Sequence, residues 1–353
     1  MNYKQYKTLF KKINSKVVSL PKTKALIRIL RTDLIILYLI VESILINRKF
    51  KGNIFKEPFF ILNSLWTKIK NFEKMKDNLT HDLLKEKRSK NLDKFHKGYF
   101  QTLWTNYTKK QFINDRLKPY IKRVKINKLT HLIKGKKCID FGCGHGQFLM
   151  ALKHLGAKSC YGIDVGKDSI TYANKMAREL KFNSKNIKYV CSNATSVKVK
   201  SESFDFAIQN GVFHHIINDK SEIKAYKEVH RVLKKRGYFF IHVAGEGIDS
   251  LRGITLELST RILENFSAFE LSKYLLNYPV THNKKYMLRD NLIVKYKNTT
   301  WKKYIKFLKK MGFRYIRPLR GHSLTDFDKH FSKDKQFNSK FGEGHLRLLC
   351  QKI

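Results

Sequence analysis

The sequence predicts an α/β protein built on a largely parallel sheet, with further segments added before the sheet and within it. Three observations carry this reading. Strand-like and helical runs alternate five times between residues 133 and 244; glycines stand at 142, 144 and 146, directly after the first strand; and Asp164 closes the second strand eighteen residues later. The length, 353 residues, exceeds the roughly 100 to 200 of an average domain, so material is added at each end.

The first strand runs through Cys138, Ile139, Asp140 and Phe141 into Gly142, Cys143, Gly144, His145 and Gly146, and a helix is expected over 146–155. Backbone that passes beneath a ligand needs residues that tolerate positive φ and carry no Cβ. The amides that open the following helix would face the same place, which is where an adenosine cofactor would sit. Asp140 argues against a pyrophosphate there, because like charges would crowd the same amides, and favours a cationic ligand. Gln147 stands where a dinucleotide fingerprint needs glycine or alanine.

The second strand, 159–163, ends in Asp164 at the spacing that delivers a carboxylate to ribose hydroxyls; an acid capping the next helix is the alternative. The third strand is expected over 187–191, and Asn193 and Ala194 then fall where they could reach an adenine edge. The fourth, 204–209, is closed by Asn210, Gly211, Val212, Phe213, His214 and His215. A helix over 220–234 and a strand over 238–243 complete the fifth unit.

In these motifs the chain resembles the class I S-adenosylmethionine-dependent methyltransferases, in particular the small-molecule branch that includes ubiquinone and menaquinone methylases. The resemblance covers roughly residues 133–244. It rests on Asp140-x-Gly-x-Gly-x-Gly, on Gly162-Ile163-Asp164, on Phe204-Asp205 with Gly211-Val212-Phe213-His214-His215, and on Glu228-Val229-His230-Arg231-Val232-Leu233-Lys234 before Gly237. It implies a Rossmann-like seven-stranded methyltransferase sheet, to which this chain's length and helical patterns add an N-terminal helical extension and a cap insertion after strand five. S-adenosyl-L-methionine is the implied cofactor. Asp140 and the backbone of Gly142, Gly144, His145 and Gly146 would hold its methionine end, Asp164 with Val165 its ribose, Asn193 and Ala194 its adenine, and Asn210 would lie under the sulfonium. Asn193 departs from the aspartate common in the family.

In the same fold, an amphipathic helix over 301–311 and strands over 313–318 and 345–351 would close the sheet. The organisation expected is a basic helical extension over 1–125, a cofactor-binding core over 126–245, a substrate cap over 246–300 and closing elements over 301–353. Residues 245–300 are too long for a simple connection and carry helical pattern over 256–277. Residues 321–344 read as a long polar loop. In the extension, Leu62, Leu65, Ile69 and Phe72 repeat at helical spacing. The apolar run 34–46, interrupted by Glu42 and Ser43, is shorter than the roughly 20 residues of a spanning helix. It reads as a buried helix or as an interfacial one flanked by Arg28, Arg31, Arg48 and Lys49. No signal-peptide pattern is found, and the expected location is the cytoplasm, with peripheral contact at the inner membrane face.

Lys and Arg number 73 against 28 Asp and Glu, a net charge of +45. Such a balance attracts polyanions, yet 57 of the cations are lysines, whereas bidentate phosphate or guanine recognition favours arginine. AT-rich codon usage would produce the same excess, and an anionic membrane ranks ahead of RNA as a partner. The five cysteines show no zinc-ligand spacing and read as small buried hydrophobes, with neither metal nor disulfide expected.

Methyl transfer from a sulfonium requires positioning above all. A base is needed only where the acceptor loses a proton; His214 and His215 are the candidates, with His242 and Glu246 behind them. The position after strand four lacks the Asp/Asn-Pro-Pro-aromatic element of exocyclic-nitrogen methylation, and no cysteine adjoins a proline as in cytosine C5 chemistry. A small-molecule, lipid-linked or glycan-intermediate acceptor is therefore expected, with RNA methylation or a non-catalytic, cofactor-binding adaptor as alternatives. Oligomeric state is not legible.

Overall fold

The computed structural model describes residues 2–20, 23–46, 52–80, 107–245, 250–262, 297–321, 339–340 and 342–353. The chain divides into two compact units, one of residues 1–95, 246–295 and 332–342, the other of residues 96–245, 296–331 and 343–353.

The first unit is helical. In α1 (Tyr3–Ser19), Asn2 and Gln5 each accept the other's backbone N–H, and Tyr6, Phe10, Ile13 and Val17 form one buried face. Helix α2 (Lys24–Ile46) starts at Thr23, whose hydroxyl accepts the Leu26 N–H. Its apolar run is packed inward: Leu34, Ile35, Leu37, Tyr38, Val41, Ile44 and Leu45 are all buried. Among the described residues no helix is long and apolar enough to cross a membrane. Helix α3 (Lys56–Met75) buries Leu62, Leu65, Ile69 and Phe72, the spacing expected from the sequence, and packs on α2. Asp33 of α2 is 6% exposed and accepts from Ser64 Oγ at 2.6 Å and Lys68 Nζ at 2.7 Å, both on α3, so a nearly buried charge is fully paired.

The second unit contains the sheet. Helices α4 (Lys109–Gln111) and α5 (Lys118–Ile126), joined by a π-helical turn over Phe112–Leu117, lead to β1 (Lys137–Phe141). Then follow α6 (Gln147–His154), β2 (Ser159–Asp164), α7 (Lys167–Glu179), β3 (Ile187–Cys191), β4 (Phe204–Asn210), α8 (Asp219–Val232) and β5 (Leu233–Ala244). Helix α9 (Leu251–Ile262) belongs to the first unit, where it packs on α1 and α2. Helix α10 (Trp301–Lys310), β6 (Phe313–Pro318) and β7 (His345–Lys352) return to the sheet. The strand order is β3-β2-β1-β4-β5-β7-β6, with β7 antiparallel to both neighbours and the rest parallel. This is the seven-stranded sheet expected from the sequence.

Alternation along the strands sends one set of side chains to each face. Cys138, Cys160, Ile208, Phe240 and Leu349 pack with Phe112, Phe148, Leu152 and Ala173 beneath α5, α6 and α7. Ile139, Ile163, Ala207, Phe239 and Leu348 pack with Tyr226, Val229 and Leu308 beneath α8 and α10. Residues 107–126 thus build the core of the second unit, because Phe112, Leu117 and Val124 are buried in it, although the sequence groups them with the N-terminal extension. Of the segment expected to cap the acceptor, 246–249 and 263–296 lie outside the described residues, Glu246 among them. So does 322–338 of the expected polar loop. The five cysteines are free; four are buried, but Cys191 is exposed, since β3 is the sheet's edge strand and Cys191 is its last residue.

Asp33→Ala would leave the Lys68 ammonium and the Ser64 hydroxyl without their acceptor. The expected loss is about 1–3 kcal/mol in thermal or urea unfolding, against about 0.5–1.5 kcal/mol for Ser64→Ala.

Candidate active site

Strand order reverses between β1 and β4, and open α/β sheets bind ligands at the carboxyl ends of strands at such a point. The residues there come from the pleat. Asp140 is level with Gly162 on β2 and Ile208 on β4, so Asp164 and Asn210, two residues further on, lie on the same face one step beyond. Asn210 is level with His242 on β5, and His242 with Arg347 on β7. Asp140, Asp164, Asn210, His242 and Arg347 therefore share one face at one end of the sheet.

On the β1 side stands the glycine turn. Gly142, Gly144 and Gly146 all have positive φ. A Cβ on Gly142 would strike Val212 and one on Gly146 the Tyr189 ring, each at 2.5 Å, whereas one on Gly144 would meet nothing within 4 Å among the described residues. The turn is thus closed on its flanks and open at its middle. Asp164 bridges two loops: its carboxylate accepts from Gly144 N at 2.9 Å and from Gly166 N at 2.8 Å. Burial raises its pKa and these amides oppose the rise. Asp140 is 2% exposed, and its Oδ1 has no hydrogen-bond partner among the described residues. Burial first, and then the Asp164 carboxylate, push its pKa well above the usual carboxylate range. A desolvated carboxyl in this state is stabilised by an arriving cation.

Other predicted residues are placed less directly. His145 is buried edge-on against Tyr172, its ring centroid 5.0 Å away, and burial with the nearby Arg116 charge lowers its pKa to about 3. Val165 is exposed. Asn193 is exposed and folds on itself, Oδ1 accepting from Thr195 N and Oγ1, and Ala194 packs partly against the core. Asn210 is held from α5: Arg123 Nη1 donates to its Oδ1 at 2.9 Å, and its Nδ2 donates to the Tyr120 hydroxyl at 3.2 Å.

The histidines form a chain of contacts. His214 is buried, and its Nδ1 accepts the Ala244 N–H at 2.9 Å, so the neutral ring carries its proton on Nε2 and donates it to His215 Nε2, 3.0 Å away. The backbone of His214 also receives the Lys297 N–H, while Lys297 Nζ pairs with Asp219 and Glu222 of α8. His242 Nε2 lies 3.0 Å from His345 Nδ1. Burial, then Arg347, His345, Arg123 and His214, hold the His242 pKa well below the ordinary imidazole value, so it is neutral.

Sequence reasoning missed the contribution of α5 and β7. The Arg123 guanidinium lies 4.8 Å over the Tyr120 ring. Burial raises the Tyr120 pKa, but Arg116, Arg123, a hydrogen bond with Gln147, and Arg347 outweigh it, so the net shift is downward. One signal for Arg347 was present, a cation set among the apolar Leu346, Leu348, Leu349 and Cys350 of the closing strand; nothing local marked Tyr120 or Arg123.

Residues 139–241 match the methyltransferase domain family. This chain carries a class I S-adenosylmethionine-dependent methyltransferase domain. It is 33% identical over 115 residues to the tRNA (carboxymethyluridine(34)-5-O)-methyltransferase of Xenopus tropicalis, covering 33% of this chain and 16% of that one. It is 30% identical over 139 residues to the mitochondrial ubiquinone biosynthesis O-methyltransferase of Dictyostelium discoideum, covering 37% and 42%. The chain thus spans less than half the length of either relative. Among solved structures, an S-adenosylmethionine-dependent methyltransferase of Methanosarcina mazei aligns with 62% of this chain and 93% of its own at 20% identity and a TM-score of 0.41. The methyltransferase domain's cofactor fits the residues present: the open cradle at Gly144 admits a ligand against backbone, and the buried Asp140 oxygen suits a cationic group.

His145 supplies a pH test. Below pH 6.5 the unfolded imidazole takes up a proton that the folded one refuses until about pH 3, so its contribution to stability is complete above 6.5 and is lost as pH falls through that window. His145→Asn is expected to flatten this part of the stability-pH curve, read from urea midpoints.

Proposed function

We propose that the chain transfers a methyl group from S-adenosylmethionine, in line, to a small-molecule, lipid-linked or glycan-intermediate acceptor entering at the ends of β4 and β5. The observation that carries the cofactor half is the buried, unpartnered Asp140 oxygen beside the open turn at Gly144. Bound there, the sulfonium supplies an already activated methyl group. Asp140 and the turn amides would hold the cationic methionine end and Asp164 with Val165 the ribose, with Asn193 and Ala194 near the adenine. Asn210, fixed by Arg123 and Tyr120, would line the methyl-transfer side.

The chain's remaining task is to orient the acceptor, worth most of the rate when reacting atoms are held at about 3–3.5 Å. Where the acceptor loses a proton, His215 is the candidate base. His214 acts as its positioning residue, since the His214 Nδ1 lone pair is taken by Ala244 N–H and its Nε2 proton points at His215. His215 accepts a proton by parting from His214.

A second reading, methylation of tRNA, is favoured by the likeness to the Xenopus tropicalis enzyme and by the +45 charge. Radiolabelled S-adenosylmethionine incubated with the protein and an extract of the source cells separates the two. Label in the organic or aqueous small-molecule fraction is expected; label in RNA would establish the second reading instead. Asp164→Ala is expected to weaken S-adenosylmethionine binding at least about tenfold, the loss of a charge-assisted hydrogen bond, in calorimetry. His215→Ala is expected to cut kcat by about 10²-fold with cofactor affinity retained, and full turnover in that variant would remove the base. For the basic helical unit we also propose contact with anionic membrane, seen as flotation with phosphatidylserine vesicles at low salt and lost at high salt.

A further inference from the structure

One edge of the second unit is basic without acid. Residues 301–320, which form α10 and β6, hold five lysines, three arginines and neither aspartate nor glutamate, whereas α7 and α8 mix their lysines with Asp168, Glu179, Asp219, Glu222 and Glu228. Tyr304 and Leu308 turn one face of α10 into the core, which leaves its five lysines exposed on the other. Strand β6 is the last in the sheet order. Its Arg314 is level with Gln351 of β7 and its Arg317 with Leu349, so Tyr315 and Ile316 stand opposite the single residue Cys350, which makes a bulge. Ile316 packs partly into the core and Tyr315 turns out: its φ is +50° and it is 79% exposed, more than any other large apolar or aromatic side chain among the described residues. Such a backbone conformation is uncommon for a bulky side chain and collects at functional positions. Arg314 Nη1 donates to the Lys309 carbonyl at 2.7 Å, so the bulge is tied to the last turn of α10.

We propose that this edge docks single-stranded RNA, with an unpaired base stacked on Tyr315 and the flanking phosphates met by Arg317, Lys309 and Lys310, and by Lys306 and Lys302 one and two turns back along α10. The proposal goes beyond the methyl-transfer reading and does not depend on which acceptor is methylated. None of these five cations pairs with a carboxylate among the described residues. Arg314 is their anchor and is not counted among them. An exposed ring set among cations is the arrangement that holds single strands, because every base offers a face to stack on and the backbone brings one charge per nucleotide. A duplex hides its base faces, whereas unpaired bases are usual in RNA loops. Contact of this kind asks for point charges rather than bidentate forks, so lysine is suited to it. A bilayer would find little to insert, since Trp301, Tyr304, Phe307 and Leu308 of α10 pack into the core.

The test is fluorescence anisotropy of the full chain with a labelled single-stranded RNA of mixed sequence, about twelve nucleotides long. Tyr315→Ala is expected to weaken binding about tenfold, the loss of one stacked base, and Tyr315→Phe to retain it. Tyr315→Gly, which suits the positive φ, should unfold at no lower urea concentration than the parent yet bind as weakly as Tyr315→Ala, which separates stacking from folding. Lys309→Gln combined with Lys310→Gln should lower the slope of log Kd against log salt by about 1.4, two phosphate contacts at about 0.7 each. Lys185→Gln combined with Lys188→Gln removes the same charge at the β3 edge and should leave that slope unchanged. Equal affinity of Tyr315→Ala and the parent, or an equal loss of slope in the two double variants, would overturn the docking surface. So would flotation with phosphatidylserine vesicles that needs Tyr315 while RNA affinity does not.

Discussion

The site depends on the pleat of the central sheet. Because side chains alternate between faces and paired strands keep their register, Asp140, Asp164, Asn210, His242 and Arg347 are brought to one face at one end, though more than two hundred residues separate the first from the last. A one-residue slip of β5 or β7 would send His242 or Arg347 to the opposite face, among Tyr226, Phe239 and Leu308. Register is held by the apolar residues between the polar ones. Phe240 and Leu349 bury on the same face as His242 and Arg347, and Phe239 and Leu348 on the other.

Two devices tie loops to this frame. Asp164 accepts amides from both the glycine turn and the start of α7, so the acid read as a ribose ligand also fixes the turn proposed to hold the cofactor. Lys297 does similar work at the far side. Its backbone bonds His214 and its ammonium bonds two carboxylates of α8, so the chain re-enters the second unit at the histidine pair. The His214 tautomer follows from a backbone amide, Ala244 N–H, which belongs to the end of β5.

Much of the fold was legible locally. The strands at 187–191 and 313–318 are where the sequence places them, and β1, β2, β4 and β7 differ only at their ends, because burial on both faces of a sheet leaves a continuous apolar signal. Strand β5 begins five residues earlier than expected, at Leu233, which pairs with Phe204 of β4 and so ends the preceding helix at Val232 rather than at 234. The glycine turn was legible because positive φ and close approach restrict the residue to one type. Less legible was the membership of 107–126. A basic amphipathic helix carries no mark of which core it covers, and only the burial of Phe112, Leu117 and Val124 beside Phe148 settles it.

By itself the sequence determined the α/β class, the order of elements, the glycine cradle and its acids, since these rest on periodicity, backbone conformation and short spacings. Tertiary structure alone decided what stands opposite them. Tyr120, Arg123 and Arg347 meet Asn210 and His242 through strand register and the docking of α5, relations between residues far apart in the chain that no local pattern encodes.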